Sequence, residues 1–364
     1  MSKSRLYVDI HVLQTVPPSC VNRDDTGSPK TATYGGVTRA RVSSQSWKRA
    51  MRVMFEDSLP KDEVGLRTKK IVGLIAHEVS LLDPHADALK VAQRILETAG
   101  LKIKSVDKGT EALFFISIAQ AKALAKLAVD DPETLKEKPS KEAKTKAQKA
   151  LQQSPSLDIA LFGRMVADDP SLNTDACSQV SHSISTHKVN IEYDYFTAVD
   201  DLASEDTAGA GHLGTVEFNS ATLYRYATVA VHELQAQLGD DTAQAVRQFI
   251  QAFVCSMPTG KQNTFANRTL PDAVLVTLRQ DQPINLVGAF ERPVPPSDEG
   301  YVAASAERLV FHAKKVYGSF APVPVMSLVT GEALSELATV QHFEQLQDTL
   351  STELAKHIGN SGMR

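Results

Sequence analysis

Between Arg39 and Arg52 the sequence RARVSSQSWKRAMR sets five cations, Arg39, Arg41, Lys48, Arg49 and Arg52, around a run of small hydroxyl residues, with no acid among them. The chemistry open to such a set is the binding of an anion. Ser43 or Ser44 can cap a helix, and a helix start offers unpaired amides and a positive dipole end. Ser43, Ser44, Gln45, Lys48 and Arg52 are therefore coherent with a bound phosphate. Arg41 precedes them, Arg23 and Lys30 lie in the segment before, and Lys261, Gln262 and Asn263 form a third group of donors. The bland alternative is a solvated helix face, which is the commoner meaning of a basic run. The chain as a whole carries a net charge of −4, so any nucleic-acid contact has to be confined to one face.

Catalytic spacings are mostly missing. Gly260-Lys261 is followed by Gln262 and has no glycine at the phosphate-loop spacing. His77-Glu78 and His232-Glu233 meet Leu81 and Ala236 where a zinc helix needs its second histidine. His182 and His187, five apart on an expected strand, would face opposite sides. Cys20, Cys177 and Cys255 are isolated, which supplies neither a zinc pair nor a disulfide framework. No metal or cofactor is expected. Asp24-Asp25 and Asp200-Asp201 could hold a metal ion or orient a water, although acidic pairs in loops commonly serve as turn and cap residues.

These residues need elements to position them, and 364 residues at 42% hydrophobic content can bury a large core. The start MSKSRLYVDI lacks an apolar signal core and no apolar run is long enough to cross a bilayer, so a soluble cytoplasmic protein is expected. RLYVDIHVLQTV alternates Leu6, Val8, Ile10 and Val12 with Tyr7, Asp9 and His11, the period of a strand. The next segment, PPSCVNRDDTGSPKTATYGG, reads as an irregular loop. A helix follows, with Trp47, Ala50, Met51, Met54 and Phe55 on its apolar stripe. From about residue 58 to 180 the pattern is helical, FISIAQAKALAKLAV included, with a lysine-rich exposed connection or solvated helix near 133–149. Strands are expected at CSQVSHSISTHKV and ATLYRYATVAVHEL, the latter running to Val231. A long hairpin or loop between them spans DYFTAVDDLASEDTAGAGHLGTVEF. A helix at DDTAQAVRQFIQAFVCSM, a buried strand AVLVTLR and two C-terminal helices complete the chain. With the helical block and the excursion set aside, the order is strand, helix, strand, strand, helix, strand. That is the split βαβ pattern of a ferredoxin-like or RRM-like α+β domain.

HVLQTVPPSCVNRDD, GGVTRARVSSQSWKRAMR, DIALFGRM, YFTAVDDL, GHLGTVEF and LYRYATV, taken in order, resemble the crRNA-binding backbone subunit of the type I-E CRISPR Cascade complex, the CasC family. The resemblance is carried by the first two thirds of the chain. It implies a hand-like protein, with a palm in three parts (1–57, 179–190 and 220–364, the last with C-terminal helices), helical fingers (58–178) and a thumb (191–219). It implies a non-catalytic protein of antiviral defence that polymerises head to tail, as a hexameric backbone, along a CRISPR guide RNA. Its partners would be that RNA, target DNA paired through the guide, and other Cascade subunits, with no membrane. Matching positions make Arg23, Lys30, Ser43, Gln45, Lys48 and Arg52 RNA-backbone ligands. Met165 becomes a finger residue that presses on a base, and Thr197 and Leu213 become thumb residues beside the displaced nucleotide. Phe162 departs from the pattern, which has a small residue there, and the thumb is lengthened by Ala and Gly. A second resemblance, to backbone subunits that cut RNA with a loop aspartate, would give Asp24 or Asp25 a metal-dependent role.

Overall fold

A computed structural model describes residues 5–166, 169–198 and 212–359. Two compact units divide the chain. The first comprises Met1–Met51, Val180–Thr228 and Val246–Arg364, and the second Arg52–Gln179 and Val229–Ala245. The second unit thus takes Val229–Ala245, which the sequence reading assigned to the palm.

The first unit is built on an antiparallel sheet. Its neighbour order is Met326–Thr330, Ala273–Arg279, Tyr7–Ser19, His212–Ala230, Ser183–Ser185, Val37–Val42 and Thr31–Tyr34. Val8, Ile10 and Val12 are buried as their spacing suggests, but so are Asp9 and His11. Tyr7–Ser19 is a central strand whose polar face is also covered, so its alternation does not mark a wet side.

Several sequence expectations need correction. Residues 31–42, expected in part as irregular loop, form a hairpin in which Tyr34 pairs with Val37. Gly35 and Gly36 make its two-residue turn, both at positive φ (60° and 77°), a backbone that glycine adopts without steric cost. Met326–Thr330 is a strand that the proline-rich flanks concealed. Val231 starts a helix rather than ending a strand.

The helix Ser44–Ser58 buries Trp47, Met51 and Phe55, spaced four apart on one stripe. Trp47 donates from Nε1 to Ser183 Oγ at 2.9 Å. Its other neighbour is the fully buried Arg225, whose guanidinium carbon lies 3.7 Å from the indole centroid. Arg225 also donates to Gln14 Oε1 (2.5 Å) and to the Phe253 carbonyl, which compensates a buried cation.

In the second unit, helices Ile71–Leu82, Ala88–Thr98, Ile118–Asp130 and Lys141–Gln152 enclose a core that includes Ile75, Ile95, Leu124 and Leu151. Phe114–Ile116 is a strand paired with Leu66–Thr68, where helix was expected, and the following helix begins only after the Ser117 cap. The lysine-rich segment contains the helix Lys141–Gln152, with Ala143, Ala147 and Leu151 inward. Its solvated side carries Lys146, paired with Asp131 and Glu142. No helix among the described residues is long and apolar enough to cross a membrane.

Candidate nucleic-acid interface

In the first unit, backbone hydrogen bonds gather donors that are far apart in sequence. Lys30 N donates to Asn22 O (2.8 Å), Arg41 N donates to Lys30 O (2.9 Å), and Ser43 N donates to Asn22 Oδ1 (2.9 Å). Asn22, which sequence reasoning passed over, therefore ties the first loop to the start of the helix. Arg41 donates from Nε to Thr31 O, and its Nη1 lies 3.3 Å from His182 Nδ1. Burial lowers the His182 pKa, and the charges of Arg41 and Lys30 lower it further.

The 260 loop joins the same group. A Cβ on Gly260 would come within 2.1 Å of the Val21 carbonyl oxygen, so the close approach of the two loops requires glycine here. Lys261 follows in the left-handed region (φ 50°) and precedes a single turn, Gln262–Phe265. Burial pushes the Cys20 thiol up, with the charges of Asp24 and Glu217 adding to it and those of Arg23 and Lys261 opposing it. Arg23, Gln45 and Asn263 are exposed, whereas Ser44, Lys48 and Gln262 are half-buried.

Ser43 serves its own helix. Its Oγ accepts from Ser46 N at 3.3 Å and the residue is buried, so the hydroxyl is partly committed to capping the helix. Asp24 organises its turn, with Oδ1 accepting from Thr26 N, Thr26 Oγ1 and Ser28 N at 2.7–3.0 Å. The Thr26 hydroxyl, the largest influence, helps hold its carboxyl below the usual range.

The hairpin Glu192–Ala198 with His212–Phe218 sets Thr197 directly opposite Leu213, the pair named from sequence. The excursion through Asp200-Asp201 falls in 199–211, outside the described residues. Tyr193 and Tyr195 share the strand face of Thr197 and are 67% and 64% exposed. Sequence reasoning missed them, although their alternation was visible. On the other face the Phe196 ring covers Gly214, where a Cβ would meet the ring at 2.3 Å.

In the second unit Arg52 does not present a free guanidinium. It donates to Asp158 Oδ2 (3.0 Å) and Gly65 O (3.2 Å), and it lies over the Phe115 ring. Asp158 is fully buried and accepts also from Gly65 N and Ser156 Oγ. Sequence reasoning gave Arg52 to a phosphate; here a buried carboxylate engages its guanidinium. Phe162 fills core space against Phe55, with ring centroids 6.3 Å apart.

Met165 is 85% exposed, and its neighbours explain how it is held. Gly163 ends the helix Leu157–Phe162 at φ 74°. Arg164 is buried and donates to the carbonyls of Leu172 (3.0 Å), Phe115 (3.1 Å) and Leu151 (2.8 Å). Val166 N donates to Asn173 Oδ1 at 2.7 Å. The methionine thus stands in solvent between two anchored residues. Burial lowers Arg164 to about 10, still charged at neutral pH.

A basic loop cluster beside a sheet, in which Arg23 is exposed and Lys30, Arg41 and Lys261 are half-buried, and an aromatic hairpin in the same unit accompany the fold of a CRISPR surveillance-complex subunit. The chain superposes with a TM-score of 0.80 on a chain of a "CRISPR RNA-guided surveillance complex, pre-nicking", at 33% identity over 95% of this chain and 99% of that one. A second solved "CRISPR RNA-guided surveillance complex" gives 0.63 at 29% identity, over 96% and 99%. The chain belongs to the family of CT1975-like proteins, which it matches over residues 8–356. No curated protein matches it.

Proposed function

We propose that this protein is a non-catalytic backbone subunit of a type I-E Cascade complex, of the CasC kind, that polymerises in the cytoplasm along a CRISPR guide RNA. The observation that carries the reading is the convergence of Arg23, Lys30, Arg41 and Lys261 from separate segments onto one group of loops in the first unit, tied by the Arg23–Pro29 bridge, the Lys30–Asn22 and Arg41–Lys30 backbone hydrogen bonds and the close approach of Gly260 to Val21. Phosphate contacts give affinity without sequence preference, which a carrier of variable guides needs. The palm is RRM-like. Among its sheet neighbours, Ala273–Arg279, Tyr7–Ser19, His212–Ala230 and Ser183–Ser185 follow the order fourth, first, third, second, and the helices Ser44–Ser58 and Thr242–Cys255 occupy the two crossovers.

In this reading Gln45, Lys48, Gln262 and Asn263 complete the backbone contacts. Met165 presses on a base face without choosing its identity, since an unbranched thioether adapts to any ring. The thumb hairpin of one copy, with Thr197, Leu213 and the exposed tyrosines, closes over the RNA held by the next. The segments left between wedges expose base edges for pairing with target DNA, so that pairing reads the sequence and the protein supplies shape and charge.

The test is charge reversal of Lys30 and Lys261 together, reading copurified RNA and the salt dependence of single-strand binding. Two lost phosphate contacts should flatten the log–log salt slope by about 1.4, at about 0.7 per phosphate. An unchanged slope and unchanged RNA content would refute the assignment.

A further inference from the structure

Within the first unit lies a cavity with about 20 Å³ of room for a water-sized group. Val16, Ala40, Val42, Ala221 and Leu223 supply apolar walls, and Ser19, Asn22, Lys30, Arg41 and Asn219 are its polar lining. Most of the polar groups are already engaged. Asn22 Oδ1 accepts from Ser43 N, Ser19 Oγ donates to Pro17 O, and Arg41 Nε donates to Thr31 O.

Asn219 is different. It is only 9% exposed, and its buried amide nitrogen has no hydrogen-bond partner among the described residues. It sits on the His212–Ala230 strand two and four residues from Ala221 and Leu223, so the three share the strand face that lines the cavity. A buried donor left unmet is costly, so the arrangement is complete only when another group enters.

We infer that this cavity receives a ribose 2′-hydroxyl of the bound RNA, and that Asn219 is a residue by which the protein prefers RNA to DNA. The inference rests on the RNA-binding reading above. Size limits the guest, because 20 Å³ exceeds the least room a water needs but leaves no space for a base or a phosphate. Chemistry limits it further. A hydroxyl both accepts and donates, so it can satisfy the Asn219 amide and give its proton to a free lone pair of Ser19 Oγ. Lys30 and Arg41 in the same lining would keep the adjoining phosphate close. Deoxyribose brings no such group, which is how proteins distinguish the two sugars. A subunit that must carry a guide RNA while DNA is present has a use for that distinction.

The experiment measures binding of full-length protein to a labelled single-stranded RNA, to its all-2′-deoxy counterpart and to its 2′-O-methyl counterpart, at one salt concentration. Wild type should bind the RNA more tightly than either analogue, the methyl ether being too large for the cavity. Asn219→Ala should lose about tenfold in RNA affinity, the upper end for one hydrogen bond, and little in DNA affinity. Lys30→Glu should weaken RNA and DNA alike. The analogue strands keep the inference falsifiable even if Asn219→Ala fails to fold. RNA binding by wild type with no preference over either analogue would overturn the pocket alone and mark it as a site for structural water. Equal losses for RNA and DNA in Asn219→Ala would overturn it too. No RNA binding by wild type would overturn the functional reading and this inference with it.

Discussion

Replacing Asp9 by Asn should change how stability depends on pH, because two buried groups of the first unit's sheet titrate in opposing directions. Burial, partly offset by hydrogen bonds from Ile284 N and Tyr226, raises Asp9 to about 6 from 3.8. Burial lowers His11 to about 3 from 6.5, and the charge of Arg279 adds to this. For Asp9 the fold favours the protonated form. Its contribution is full below 3.8, fades as pH rises to 6, and has by then cost about 3 kcal/mol. For His11 the fold favours the neutral form, so its contribution is full above 6.5 and fades as pH falls toward 3. Between about 4 and 6 each slope is about 1.4 kcal/mol per pH unit, opposite in sign, and the pair cancels.

Asn keeps one acceptor for Ile284 N and places an amide where the Tyr226 hydroxyl can accept, so Asp9→Asn should fold. Its stability should then fall with acid as His11 alone dictates. Trp47 is the only tryptophan and belongs to the first unit, so its fluorescence during urea unfolding reports this unit. The stability difference between variant and wild type should shift by about 3 kcal/mol between pH 6.5 and 4, the variant losing ground in acid. A difference that stays constant across that range would refute the assignment of opposed titrations.

Asp158→Ala should destabilise the helical unit by about 3–5 kcal/mol, since it strands the Arg52 guanidinium and the Gly65 amide, and a loss below about 1 kcal/mol in chemical unfolding would contradict this. Met165→Ala should leave stability within about 0.5 kcal/mol. Arg164→Leu should expose the chain near Gly163 to limited proteolysis, and equal protease resistance in the two variants would remove Arg164 as the anchor. Asp24→Ala should speed amide exchange at Thr26 and Ser28. Metal-dependent cutting of complementary RNA that vanished in this variant would overturn the non-catalytic reading.

Much of the fold was legible wherever one local rule had no competitor. The Trp47, Met51 and Phe55 stripe and the buried run AVLVTLR follow from period and composition alone, whereas composition left the excursion around residues 199–211 open as a hairpin or a loop. The hairpin at Gly35-Gly36 was equally legible, since two short runs flank a Gly-Gly pair, but the surrounding Pro, Asp and Ser content drew attention away from it. The strand Phe114–Ile116 was lost because a short apolar run beside a helix reads equally well as its first turn.

The sequence by itself determined that a local cluster of cations sits in an acidic chain, which makes anion binding available. Tertiary structure decided which cations are left to meet an anion. Arg41 and Arg52 look alike on paper, yet Arg52 is committed to a carboxylate 106 residues away and Arg41 to the loop cluster. Asn219 carries no signal in sequence at all, since an asparagine in a strand becomes informative only when the strands packed around it leave its amide unmet. The physical reason is common to both. Local propensity acts between near neighbours, whereas the partner that satisfies or strands a buried charge or amide is chosen by packing between segments distant in the chain.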